Sequence, residues 1–110
     1  MKVYKIKYSS DIVADLNELS DFVAKQYTFD SAKLYIARLR KEIEELSVFA
    51  EILSDCKYNF PKLYHPQAKT MPIGNRKLTV IFHIDGEFVV VDKILPSSMI
   101  KFTNLVLSDL

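Results

Sequence analysis

Two histidines and five cations share one acid-free stretch of this chain. Between residues 56 and 84 there is no Asp or Glu, while Lys57, Lys62, Lys69, Arg76 and Lys77 occur there with His65 and His83. That combination suits one kind of chemistry. Cutting RNA without a metal needs a group to activate the 2′-hydroxyl, a proton donor for the leaving oxygen, and cations against the scissile phosphate. Imidazole ordinarily titrates near neutrality and can serve either proton-transfer role. His83, with Lys77 on the same face of its strand and Arg76 beside it, is therefore the candidate catalytic set. Lys57, Lys62, His65, Lys69, Arg76 and Lys77 are the candidate phosphate or target contacts. The competing reading is plainer: a histidine between Phe82 and Ile84, beside a turn, is a half-buried sheet residue, and the lysines belong to a solvated basic loop.

Other chemistries find less support. No GxSxG motif is present, and the single cysteine, Cys56, forms no intramolecular disulfide, which points to an inert thiol in a reducing compartment such as the cytoplasm. Two histidines 18 residues apart lack zinc-ligand spacing, so no metal is expected. Only two glycines occur, too few for a glycine-rich phosphate loop, and no cofactor is expected. The start, MKVYKIKYSS, has no apolar run after its lysines, and nothing approaches 18 consecutive apolar residues, so neither a signal peptide nor a membrane span is expected. The net charge of +1 argues against indiscriminate nucleic-acid binding. The acids gather at 11–21 and 42–55, however, which leaves one pole of the molecule positive.

The elements that must position these groups follow from periodicity. A chain of 110 residues with 49% hydrophobic side chains forms one compact domain with a real core. KVYKIKY alternates as a half-buried strand with Lys5 and Lys7 outward. Ser9 or Ser10 caps a helix whose stripe is Ile12, Leu16, Leu19 and Val23, ending near Gln26 or Tyr27. Asp30 is the cap expected for a second, longer helix with Ile36, Leu39, Ile43, Leu46, Ala50 and Leu53 on one side and i,i+4 pairs Arg38–Glu42 and Lys41–Glu45 on the other. Pro61 and Pro66 interrupt regular structure. AKTMPIG reads as a short strand, with Pro72 marking an edge or a bulge, and Gly74–Asn75 as a turn.

Residues 77–84 and 87–94 read as strands joined at Asp85–Gly86 by a type I′ hairpin. Leu78, Val80, Phe82 and Ile84 face one way; Lys77, Thr79, Ile81 and His83 face the other. On the partner strand Phe88, Val90 and Ile94 oppose Val89, Val91 and Lys93, and Asp92 breaks the alternation. Apolar residues on both faces place this hairpin centrally in a sheet, helices on one side and partial cover on the other. The expected fold is α+β in the order β-α-α-β-β-β: an N-terminal strand, an antiparallel helical hairpin, then a three-stranded antiparallel sheet. It spans residues 1–96. Residues 97–110 form a tail, a short helix or a partner-binding segment. Ile100, Phe102, Leu105 and Val106 would either fold back over the second sheet face or be covered by a partner.

YKIKYSSDIVADLNELSDFV, the IEEL rhythm of the second helix and KLTVIFHIDGEFVVVDKIL, in this order, resemble the RelE/ParE family of bacterial toxins over roughly residues 3–95. The resemblance implies a twisted antiparallel sheet packed on a helical hairpin. It implies the toxin half of a type II toxin–antitoxin pair, acting in the cytoplasm and held inactive by a cognate antitoxin, alone or as a homodimer or hetero-oligomer with it. The target it implies is either ribosome-bound mRNA, cut by a metal-independent endoribonuclease, or DNA gyrase, poisoned by the ParE branch. The nuclease branch carries an arginine where this chain has Thr79, a tyrosine at Phe82, and cations around Leu95, Pro96, Ser97 and Ser98, where only Lys101 is near. The segment PSSM also lacks the HGxRD-like ending common in the ParE branch. The alternative class is a non-catalytic protein-binding or scaffold domain of the same fold.

Overall fold

The computed structural model describes residues 2–53 and 64–100. Its elements run β1 (Lys5–Tyr8), α1 (Ser10–Gln26), α2 (Phe29–Glu44), α3 (Leu46–Phe49), a 3-10 turn (Ala50–Ile52), β2 (Lys69–Ile73), β3 (Leu78–Asp85) and β4 (Phe88–Pro96). They make an α+β fold with one sheet, strand order β1-β4-β3-β2. The three C-terminal strands pair antiparallel, as their hairpin signals predict. β1 adds a fourth strand, parallel to β4 from Lys5↔Phe88 to Tyr8↔Val91. Its start is pinned at the hairpin tip, where the Lys5 N–H donates to the Glu87 carbonyl at 2.9 Å.

Both helices begin at side-chain caps. Ser9 Oγ accepts the Ile12 N–H at 3.2 Å, with Asp11 in the positive first turn of α1. The cap of α2 is Thr28, whose Oγ1 accepts the Ser31 N–H at 3.0 Å, and not Asp30, which lies in the first helical turn. The apolar stripe expected to carry one long helix to Leu53 is broken after Glu44 into α3 and the 3-10 turn. Leu46 and Ala50 nonetheless stay fully buried, because both pieces keep αR-like spacing. The break coincides with a demand from the sheet: the Ser47 carbonyl accepts the Tyr4 N–H at 2.8 Å, while the Tyr4 hydroxyl donates to Glu51.

The main core lies between the helices and one sheet face. Ile12 and Leu16 of α1, Leu39 and Ile43 of α2, and Leu46 meet Val80, Phe82, Val89, Val91 and Ile94 there. A smaller cluster of Ala68, Ile81 and Ile100, flanked by Tyr64 and Leu95, covers part of the opposite face. Residues 97–100 are helical, and Ile100 is only 5% exposed, so the first turn of the tail folds back onto the sheet. Pro72 does lie on an edge strand, β2.

Two turns differ from expectation. In the β3–β4 hairpin Asp85 pairs with Phe88, so the loop is Gly86–Glu87. Gly86 alone has positive φ (59°), the sign pattern of a type II′ turn rather than type I′. The β2–β3 connection is the one with two consecutive left-handed central residues: Asn75 at φ 57° and Arg76 at 67°, closed by the Lys77 N–H to the Gly74 carbonyl at 3.2 Å. β4 also carries a bulge, since Ile81 pairs with Lys93 but Phe82 with Val91. That extra residue, Asp92, moves Ile94 onto the same side as Val89 and Val91, against simple alternation.

Candidate functional site

The bulge is where the first candidate site forms. Asp92 has no cross-strand partner and projects to the face opposite the helices, where His83 meets it. The His83 Nδ1 donates to Asp92 Oδ2 at 2.7 Å, both side chains being about seven-eighths buried (14% and 13% exposed). The His65 ring lies flat on the His83 ring, centroids 4.1 Å apart and planes 2° from parallel. His65 Nδ1 accepts the Gln67 N–H at 3.1 Å, which puts its proton on Nε2 in the neutral ring. Tyr64 sits nearby with its hydroxyl pKa raised, first by burial and further by Asp11, Asp15 and Asp92, against the opposing charge of Lys93.

The same bulge shapes the outer edge of β4. β1 ends at Tyr8, so the backbone beyond Val91 needs other partners. Ser9 supplies two, its N–H to the Val91 carbonyl (3.1 Å) and its Oγ–H to the Asp92 carbonyl (2.9 Å). Asp15 of α1 then takes the Ile94 N–H on Oδ2 at 3.2 Å and the Lys93 ammonium on Oδ1 at 2.9 Å. The hydrogen bond to Asp15 raises the Lys93 pKa, while burial pulls the other way. Lys93 is therefore a committed cation.

At the other end of β3 the picture reverses. Arg76 and Lys77 lie in the exposed β2–β3 turn, seven and six residues from His83, or roughly 20 Å at the rise of a strand. The structure thus does not assemble the expected group of His83, Lys77 and Arg76. The turn is fixed by its backbone: Gly74 N–H donates to Glu42 Oε2 of α2 at 3.2 Å. Ser97 donates its N–H to the Lys77 carbonyl (2.9 Å) and its Oγ–H to the Arg76 carbonyl (2.8 Å). Thr79, buried, joins this chain through Ser97 Oγ at 2.8 Å. Between the turn and α2 lies an open cleft of 530 Å³ lined by Tyr35, Arg38, Leu39, Lys41, Glu42, Glu45 and Lys77, with Gly74 and Asn75 at its lip.

Of the remaining sequence candidates, Lys69 is half-buried on the helix side and donates to the Leu53 carbonyl at 2.6 Å. Ile100 is spent on the second cluster, against Ala68 and Ile81. Lys57, Lys62, Lys101, Phe102, Leu105, Val106 and Cys56 lie outside the described residues. Asp92 and Asp15 were the residues that candidate selection by residue type overlooked. Asp92 had left a signal, as the lone acid in the apolar run FVVVDKIL. Among the described residues, no group of three or more His, Cys, Asp or Glu is placed to hold a metal ion.

A family model for the ParE toxin of the type II toxin–antitoxin system parDE matches residues 6–101. The chain belongs to the ParE toxin family. A solved chain described as the chromosomal ParDE TA system from P. aeruginosa superposes with a TM-score of 0.72 at 14% identity, covering 86% of this chain and 96% of that one. That likeness is one of fold. No curated protein matches. Within this ParE-family chain, no helix among the described residues is long and apolar enough to cross a membrane.

The family frame gives meaning to two positions. Thr79, where the resemblance to the nuclease branch implies an arginine, is buried and hydrogen-bonded to Ser97. Phe82, where it implies a tyrosine, is fully buried on the helix side, in the main core, and presents nothing to the opposite face.

Proposed function

We propose that this protein is the growth-inhibiting half of a toxin–antitoxin pair, neutralised by a cognate antitoxin. We further propose that it acts in the ParE manner, on DNA gyrase, and not by cutting ribosome-bound mRNA. The separation of His83 from Arg76 and Lys77 along β3 carries this reading. Phosphodiester cleavage needs proton-transfer groups and phosphate-binding cations within hydrogen-bond reach of one substrate. Here His83 is paired to the Asp92 carboxylate and stacked on His65, the nearby Lys93 is paired to Asp15, and Arg76 and Lys77, uncommitted among the described residues, are at the far end of the strand. Both targets lie in the cytoplasm, which is where the protein would work.

A second reading, metal-independent ribonucleolysis, keeps one observation in its favour. An imidazole fixed by a carboxylate on Nδ1 is the arrangement that prepares Nε2 as a general base, and His83 with Asp92 has it. Two assays on the purified protein decide between them. With the purified protein present, gyrase should fail to supercoil relaxed plasmid or should accumulate cleaved DNA. Primer extension on ribosome-bound mRNA should show no new ends. New ends that vanish in His83→Ala would overturn the gyrase reading and make His83 a catalytic residue.

A further inference from the structure

The cleft between α2 and the β2–β3 turn holds charge that the fold leaves unanswered. Helical spacing predicts the pairs Arg38–Glu42 and Lys41–Glu45. Neither forms among the described residues. Glu42 instead turns to the Gly74 N–H, so the carboxylate best placed for Arg38 is committed to holding the turn. The side chains of Arg38, Lys41 and Lys77 make no ion pair or hydrogen bond within the described residues, and all three are exposed around the same cleft. One wall is a helix, and the other is a turn tied to α2 through Glu42 and to residue 97 through two hydrogen bonds. Gly74 suits the turn through its left-handed backbone, φ 58°, and a Cβ there would meet Leu39 Cδ2 in ordinary van der Waals contact at 3.4 Å. The floor is partly apolar, formed by Leu39 and the half-buried Tyr35.

We infer that this cleft receives an acidic segment of the cognate antitoxin. A carboxylate side chain would lie among Arg38, Lys41 and Lys77, and a neighbouring apolar side chain would rest on Tyr35 and Leu39. This rests on the antitoxin reading given above and names the surface and the chemistry of the contact. The charge count favours a peptide over a nucleic acid. Three cations face Glu42 and Glu45 in the same lining, a surplus of one that suits a single carboxylate. A nucleic-acid backbone carries a charge on every phosphate and is bound by longer basic stripes that neutralise several of them. An apolar floor under a charged rim is also the arrangement of a side-chain pocket at a protein interface.

The test uses the full chain, the antitoxin encoded beside it and isothermal calorimetry at low and high salt. The double variant Arg38→Glu/Lys41→Glu alters only exposed helix positions, and its thermal melt verifies folding. It should bind antitoxin at least about tenfold more weakly than wild type, with a flatter salt dependence. Lys25→Glu, the same kind of charge change in the last turn of α1, should bind like wild type. Equal affinity for the double variant and Lys25→Glu would overturn the assignment of the cleft. So would unchanged antitoxin affinity with weakened binding of a single-stranded oligonucleotide, which would give the cleft to nucleic acid. Failure of wild type to bind the antitoxin at all would instead overturn the toxin–antitoxin reading on which the assignment stands.

Discussion

The two ends of strand β3 differ in how their polar groups are used. Near the hairpin, His83, Asp92 and His65 look like a catalytic constellation, yet each has a structural partner: a hydrogen bond across the bulge, a stacked ring, a backbone N–H. Near the β2–β3 turn, Arg76 and Lys77 form no recognisable motif, and their side chains are uncommitted among the described residues. Residue type alone favours the first end as the site. Partner accounting favours the second, because a group already satisfied internally has to give something up before it can serve a ligand.

The largest test of that contrast is on the satisfied side. Asp15 accepts both a backbone N–H and the Lys93 ammonium in a mostly buried position. Asp15→Ala should destabilise the domain by about 3 kcal/mol, since bonds to charged groups contribute roughly 1.5–3 kcal/mol each and one buried N–H is left bare. Denaturant melts measure it. Asp92→Ala should cost about 2 kcal/mol on the same reasoning, as it strands His83 and loosens the bulge. Lys77→Ala should stay within about 0.5 kcal/mol of wild type, as exposed unpaired positions do. A Lys77→Ala loss equal to that of Asp92→Ala would erase the distinction between the ends.

The pair also sets a direction in pH. The Lys93 pKa is raised on folding by Asp15, so the folded state holds this proton more tightly than the unfolded chain. The stability it contributes is complete below the ordinary lysine value of about 10.5 and fades as pH climbs through the raised folded value. Wild type should therefore lose more stability between pH 9 and the alkaline limit of folding than Asp15→Asn does. Parallel pH–stability curves for the two would remove the pair from the account.

How much of this was readable beforehand follows the physics of each signal. Helix and strand periodicities survive in sequence because burial repeats every 3.6 or two residues, so α1, α2 and the β3–β4 hairpin were legible. The break at Glu45 was not, because Leu46 and Ala50 keep the helical rhythm across it. Thr28 and Asp30 are both good caps two residues apart, and only the structure shows Thr28 Oγ1 on the Ser31 N–H. The stacking of His65 on His83 joins a loop to a strand across 18 positions, which local spacing does not encode. Asp92 was visible as an irregularity, but its meaning, a bulge that shifts Ile94 to the main core, depended on the register with β3.

The smallest effect sharpens the other end. Arg76 holds a left-handed backbone, φ 67°, at a position where glycine would be at ease. That conformation costs an L-residue about 1–2 kcal/mol, and glycine's greater freedom in the unfolded chain returns roughly 0.5–1 kcal/mol of the gain. Arg76→Gly should therefore be more stable than wild type by about 0.5 kcal/mol, a rise of a few degrees in Tm for a domain of this size. The Ser97 Oγ–H to Arg76 carbonyl bond is a backbone contact and should persist in the variant. If growth arrest weakens while the melting temperature rises, the arginine is there for what its side chain touches outside the molecule, and the strain is the cost of presenting it. A variant that is both more stable and fully toxic would show that the turn tolerates Arg76 without using it.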